Sequence, residues 1–148
     1  MPWGKSIKRN KWDKVFSDFI RERDNWTCQR CGKFFPESRG RGGLHNSHFF
    51  GRRAYATRFD EMNCEALCYG CHSYLTANPE KHREHKIKKI GQDNFDRLLK
   101  RNRETRKKRE YENPEFYALL KEKLKILKER KDGKGENDKS NNRNRSNF

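Results

Sequence analysis

The chain has 148 residues, of which 39% are charged and only 30% hydrophobic. Such a composition excludes a large apolar core, and no apolar run approaches the roughly 20 residues that a membrane-spanning helix needs. Lys and Arg number 37 against 21 Asp and Glu, a net charge of +16 with a pI near 9.9, so the expected partner is a polyanion, nucleic acid first and no membrane.

Met1–Lys5 carries no apolar segment of signal-peptide type, which predicts a cytoplasmic protein. Residues 1–10 are basic and aperiodic and read as an arm. Trp12, Val15, Phe16, Phe19 and Ile20 then recur at helical spacing and predict a helix over 11–23 with one core face. Asp24 and Asn25 end it. Residues 33–44 hold Pro36, Gly40, Gly42 and Gly43 with Arg39 and Arg41, and read as a loop that touches phosphate. Leu44 to Phe50 reads as a strand, and Gly51–Arg53 as a turn. From Phe59 the chain approaches a short helix that runs to about Ala77. Asn78-Pro79 is a cap followed by proline at the first helical position, so a helix runs from Pro79 to Ile90 and stops at Gly91. A second helical stretch covers 94–111 and a third begins after Asn113-Pro114, with Phe116, Tyr117, Leu120, Leu124 and Leu127 on its apolar face. Residues 132–148 are rich in Asn, Ser, Lys and Gly and read as a disordered tail.

Two C-x-x-C units, Cys28/Cys31 and Cys68/Cys71, carry the strongest chemical signal. Each turn aims two sulfurs at one point, so the pairs predict a closed tetrahedral zinc site. In a reducing compartment this reading is preferred over disulfides. The 36 residues between the pairs exceed the spacing of a compact zinc ribbon and leave room for a hairpin. Cys64 reads as a buried small residue. His48, followed by Phe49 and Phe50, is a candidate general base. His72, directly behind the second pair, is free to bind another divalent ion if four thiolates fill the zinc. Asn63 is either a cap or the residue that orients His48 and holds the hairpin to the helix.

Cys28–Cys31, His48, Asn63 and Cys68–His72 together resemble the zinc-stabilised HNH endonucleases. Trp12–Gly32 and Asn63–His72 resemble their opening helix with first knuckle and their closing segment. Ser47-His48-Phe49, Arg52, Arg58-Phe59 and Asn63 are most similar to phage recombination proteins of the lambda NinG (Rap) type. The resemblance covers residues 12–100. It implies an α+β fold with a small ββα-metal core, an N-terminal helix and a C-terminal helical extension. It also implies a metal-dependent DNA endonuclease acting on recombination or branched DNA in the bacterial host. His48 would be the general base, Asn63 its orienting residue, and His72 a ligand of a catalytic Mg, Mn or Ni ion. Many HNH enzymes place a metal-binding aspartate just before the catalytic histidine, and Ser47 stands there in this chain. Three alternatives follow: His45 or Asp60 replaces the aspartate; the ion is held by His72, water and phosphate; or the protein is a zinc-containing nucleic-acid-binding module that cuts poorly.

Arg52, Arg53 and Arg58 flank the predicted site and read as phosphate clamps, or as ordinary basic surface. Residues 101–109 hold six basic side chains against one acidic, Arg103, Arg106 and Lys107 among them, and read as a basic helical extension over 101–131 that lies along a duplex backbone. Nothing resembles a base-reading helix, so the expected sequence preference is weak. Phe116–Leu127 is equally suited to form a homodimer.

Overall fold

The computed structural model describes residues 7–37 and 43–144, with side chains described to residue 132. Most of the predicted basic arm, the Arg39/Arg41 loop and the last four residues of the predicted tail lie outside the described residues.

Helix α1 (Lys11–Arg23) forms where the periodicity places it. Its start is a capping box: Asn10 accepts from the Asp13 backbone while the Asp13 carboxylate takes the Asn10 N–H. After α1 the chain makes the first cysteine turn. Strand β1 (His45–His48) then pairs antiparallel with β2 (Cys64–Leu67), His45 opposite Leu67 and His48 opposite Cys64. Between the strands sits the four-residue helix α2 (Tyr55–Arg58). Helices α3 (Tyr69–Ala77), α4 (Pro79–Ile90) and α5 (Gln92–Asn102) follow, and α6 (Pro114–Asn144) returns along α1.

Two small apolar clusters hold this arrangement together. Cys28, Phe35, Leu44, Ala66, Leu67, Cys71 and Leu75 surround the cysteine sulfurs. Phe16, Ile20, Phe59, Cys64 and Leu120 join α1 to α6, flanked by Trp12, Tyr111 and Phe116. Cys64 is the buried small residue the sequence suggests. At the start of α6 the Trp12 indole donates to the Asn113 carbonyl, and further along Lys131 Nζ reaches the Glu22 carbonyl. Part of the apolar face of α6 is used within the chain, by Phe116 and Leu120 against α1, while Leu119 and Ile126 stay exposed.

Three elements differ from the sequence expectation. Residues 64–67 form a strand where a helical approach is expected. All four residues are buried, Glu65 included, so the segment shows neither the alternation of a half-exposed strand nor the stripe of a helix. Glu65 turns toward α4, where Lys86 is buried and His85 Nε2 lies 2.9 Å from Glu65 Oε1, although neither atom makes a directed hydrogen bond.

The basic run is also not a helix. Helix α5 ends at Asn102, Arg103 caps it, and only Lys108–Glu110 close a single 3-10 turn. Like charges four apart, such as Arg103 and Lys107, weaken a helix, and the reversal here is what brings residues 111–113 back onto α1. Finally, α6 continues to Asn144 rather than ending near 131. Once begun, a helix gains a hydrogen bond for each residue added, and the two glycines in its interior, Gly133 and Gly135, cost only about 1 kcal/mol each.

Candidate active site

The first cysteine turn is shaped by backbone bonds. Gly32 N–H donates to the Cys28 carbonyl and Cys28 N–H to that of Lys33. Gly32 sits at φ +77°, a left-handed conformation that favours glycine. The second turn opens α3, with Cys71 N–H donating to the Cys68 sulfur. All four sulfurs lie within 4.8 Å of one another, and those of Cys31 and Cys68 are 3.9 Å apart. Four thiolates bound at about 2.3 Å to one zinc stand about 3.8 Å apart, so the cluster fits the ion. Burial works against ionising Cys28, yet the backbone N–H groups of Cys31, Cys68 and Arg30 hold its thiol down at about 7, while burial pushes Cys71 up to about 12. Arg30 donates toward the Cys71 sulfur and lies 4.1 Å from the Tyr74 ring, closing that side of the cluster.

Beside the cluster, a cleft of about 1180 Å³ runs between α1 and β1. His45, His48 and His72 all line it. His45 Nδ1 is 3.1 Å from His72 Nδ1. Two nitrogens bound at about 2.1 Å to one ion would stand about 3.0–3.4 Å apart, so this spacing suits a shared ligand pair. Burial lowers the pKa of both rings, more so because of nearby Arg21 and Arg9 for His45 and because of His45 itself for His72. Both imidazoles are therefore neutral near pH 7 and able to coordinate.

His48 is held differently. Its Nε2 is 2.9 Å from the Arg58 carbonyl. A carbonyl only accepts, so the ring proton sits on Nε2 and Nδ1 is bare. Burial lowers its pKa to about 4, against a small opposing pull from the Arg58 carbonyl.

Of the alternatives for the missing aspartate, the geometry separates two. Asp60 caps the turn at Met62 and pairs with Arg101 at 2.6 Å, away from the cleft. Ser47 is 1% exposed and is not part of the cleft lining. His45 is the residue that meets His72. Alternation along a strand places His45 with Ser47 rather than His48, yet Leu44, His45, Asn46 and His48 all reach the cleft, because β1 has β2 on one side only.

Asn63 is fully buried but does not touch the His48 ring. Its side chain accepts from Phe50 N–H at 2.8 Å and donates to the carbonyls of Phe50 and Thr57, both at 2.9 Å. It fastens the loop after β1 to the turn that carries Thr57, which matches the expected holding of the hairpin, and its side-chain bonds go to backbone rather than to the His48 ring.

The expected arginine clamps divide. Arg58 is 2% exposed and makes two bonds to Asp13, at 3.0 and 2.6 Å, so it is not a nucleic-acid contact. A buried guanidinium needs a partner, and a basic surface patch cannot be told from one by composition. Arg52 lines the cleft, donates to the Ile7 carbonyl and leaves Nη1 without a hydrogen bond, 3.8 Å from Asp13. Arg53, Arg103 and Lys107 are exposed, and Arg106 is paired with Glu104 and Glu110. Sequence reasoning missed Arg9, Lys14, Arg21 and Asn46, which also line the cleft. The Asn10–Asp13 capping box is legible in the sequence, but the bond from Asp13 to Arg58, 45 residues away, has no local signal.

Replacing Arg58 by methionine should destabilise the fold by about 3–5 kcal/mol, because the buried Asp13 loses both short bonds to Arg58 and keeps only the Asn10 N–H and the more distant Arg52. Arg53→Ala should change stability by less than about 0.5 kcal/mol. Urea melts of the two variants beside the wild type test the contrast, and equal losses would refute it.

These features define a mainly helical α+β protein built round a two-stranded antiparallel sheet and a four-cysteine cluster suited to zinc. The family model described as bacteriophage lambda NinG protein matches residues 5–132, and the chain belongs to that family. No curated protein and no solved structure matches it. Among the described residues no helix is long and apolar enough to cross a membrane.

Proposed function

We propose that the protein is a metal-dependent DNA endonuclease of HNH type, encoded by a phage and acting in the host cell on recombination or branched DNA. The observation that carries this reading is the convergence of three neutral imidazoles in one basic cleft, two of them paired at 3.1 Å and the third with a bare Nδ1. A pure binding module has no need of that arrangement.

In this reading Nδ1 of His48 takes a proton from water, which attacks the phosphorus of the backbone. A divalent ion on His45 and His72 would offset the charge that develops on the phosphate. Arg52 lines the cleft with its Nη1 3.8 Å from Asp13, and together with Arg9, Lys14 and Arg21 it sets a positive field along the cleft. Contacts of this kind are made to phosphate rather than to base edges, so affinity falls steeply with salt and sequence preference is weak.

A second reading is favoured by one observation. Apart from the four cysteines, no group of three or more His, Cys, Asp or Glu side chains among the described residues is gathered to hold an ion. Two imidazoles alone hold Mg poorly, since that ion prefers oxygen, and suit Mn, Ni or Zn better. A zinc-containing DNA-binding protein without cleavage is the alternative.

Plasmid and four-way-junction cleavage by zinc-loaded protein dialysed free of other divalent ions, with Mg, Mn or Ni added one at a time, separates the two. We expect nicking that depends on the added ion and favours Mn or Ni. His45→Ala and His72→Ala should each lower it about 10- to 100-fold while zinc content stays constant. Salt-sensitive DNA binding with no cleavage in any ion would establish the binding module instead.

A further inference from the structure

The structure contains a buried ion network that nothing in the nuclease reading requires, and it ends at the candidate base. Arg58 is the last residue of α2, a helix of only four residues. The last carbonyls of any helix lack intrahelical partners, and so short a helix has little stability of its own. Its position is therefore set by what grips it.

Three grips are visible. Asn63 takes the Thr57 carbonyl at 2.9 Å, leaving the next one, that of Arg58, for His48. Thr57 Oγ1 donates to Asn102 at 3.0 Å. The Arg58 guanidinium makes two bonds to Asp13 on α1, and its Nη1 lies 3.8 Å from Glu112. Glu112 in turn accepts from Tyr55 at 3.0 Å and from Asn10 at 2.8 Å. Residues from both ends of the chain thus converge on the residue whose carbonyl selects the tautomer of His48.

We propose that Asp13 and Glu112 are positioning residues for His48: through Arg58 they hold the carbonyl that keeps the ring proton on Nε2 and Nδ1 bare toward the cleft. The inference rests on the nuclease reading for its catalytic meaning, but its structural content is separately measurable. It also makes the segment after α5 part of the site's framework, through Glu112.

The test is a long-range proton–nitrogen NMR spectrum of the zinc-loaded full chain at pH 7, for wild type, Glu112→Gln and Asp13→Asn. Both substitutions preserve shape and remove one charge. The wild type should show a proton-bearing Nε2 and a bare Nδ1 on His48. In both variants the ring should average between tautomers with zinc content unchanged. The nicking rate constant should fall about 10- to 100-fold with little change in DNA affinity, and Asp13→Glu should restore part of it. A wild-type ring that carries its proton on Nδ1 would overturn the proposal. So would an undisturbed Nε2–H tautomer in both variants. If the wild type cleaves nothing while the tautomer still responds to the variants, the positioning network stands and the nuclease reading falls.

Discussion

Taking the metal away from the four-cysteine cluster should unfold the protein. In wild-type protein held in excess chelator, or in a Cys28→Ser variant, we expect loss of the cooperative thermal transition and of the far-ultraviolet helix signal. The magnitude follows from comparing two terms. Structural zinc contributes about 10–16 kcal/mol to the folding of small zinc domains, whereas the net stability of a domain is about 5–15 kcal/mol. Here the cluster is also the centre of one of the two apolar cores, with Phe35, Leu44, Leu67 and Leu75 packed around Cys28 and Cys71. Loss of the ion therefore removes the join between the first cysteine turn, the hairpin and α3 together. Metal analysis and circular dichroism on the same sample check this. A zinc-free protein with an unchanged melt would contradict it.

Substituting His48 by alanine should lower metal-dependent nicking by about 10²- to 10⁴-fold, the range that a positioned general base supplies. DNA affinity should stay within about twofold, since the ring carries no charge at neutral pH and affinity comes from phosphate contacts. The protonation state gives a second check. With a pKa of about 4 in the folded protein, against 6.5 for an ordinary histidine, His48 is already neutral across pH 6–8. Its own titration should therefore leave the rate flat over that window. The same shift makes a stability statement: below pH 6.5 the unfolded chain takes up a proton that the buried ring refuses, so this stabilisation is full above 6.5 and falls as pH drops toward 4. Burial lowers both paired imidazoles from the ordinary 6.5, so a wild-type rate that falls only below pH 6.5, and is flat there in a His45→Ala, His72→Ala background, would assign the titration to them. A rate unchanged in His48→Ala would remove His48 from the mechanism.

Much of the frame was legible because its signals are local. The stripe from Trp12 to Ile20 and the Asn78-Pro79 cap depend on neighbours within one or two turns, and the helices over 11–23 and 79–90 stand at the predicted bounds. Likewise a C-x-x-C turn aims two sulfurs whatever the rest of the chain does, and pairing two such turns needs only that the chain close once. The spacing of Cys28, Cys31, Cys68 and Cys71 thereby foretold the cluster that the fold assembles.

What sequence alone left open was decided by contacts between distant segments. Strand β2 is buried on every side chain, so its pattern carries no period, and only pairing with β1 makes it a strand. Arg58 and Arg52 are alike as residues six apart in a basic stretch. The fold buries the first against Asp13 through two short bonds and leaves the second lining the cleft, 3.8 Å from the same carboxylate, because desolvating a guanidinium is tolerable only where a carboxylate meets it. His45 and Asp60 were both candidates to stand in for an aspartate, and the fold brought the first to His72 while a capping turn occupied the second. The sequence by itself determined the cysteines suited to hold zinc and the long helices at either side of them. The tertiary structure decided which imidazoles meet and which proton His48 bears, since those depend on distances between atoms that lie far apart along the chain.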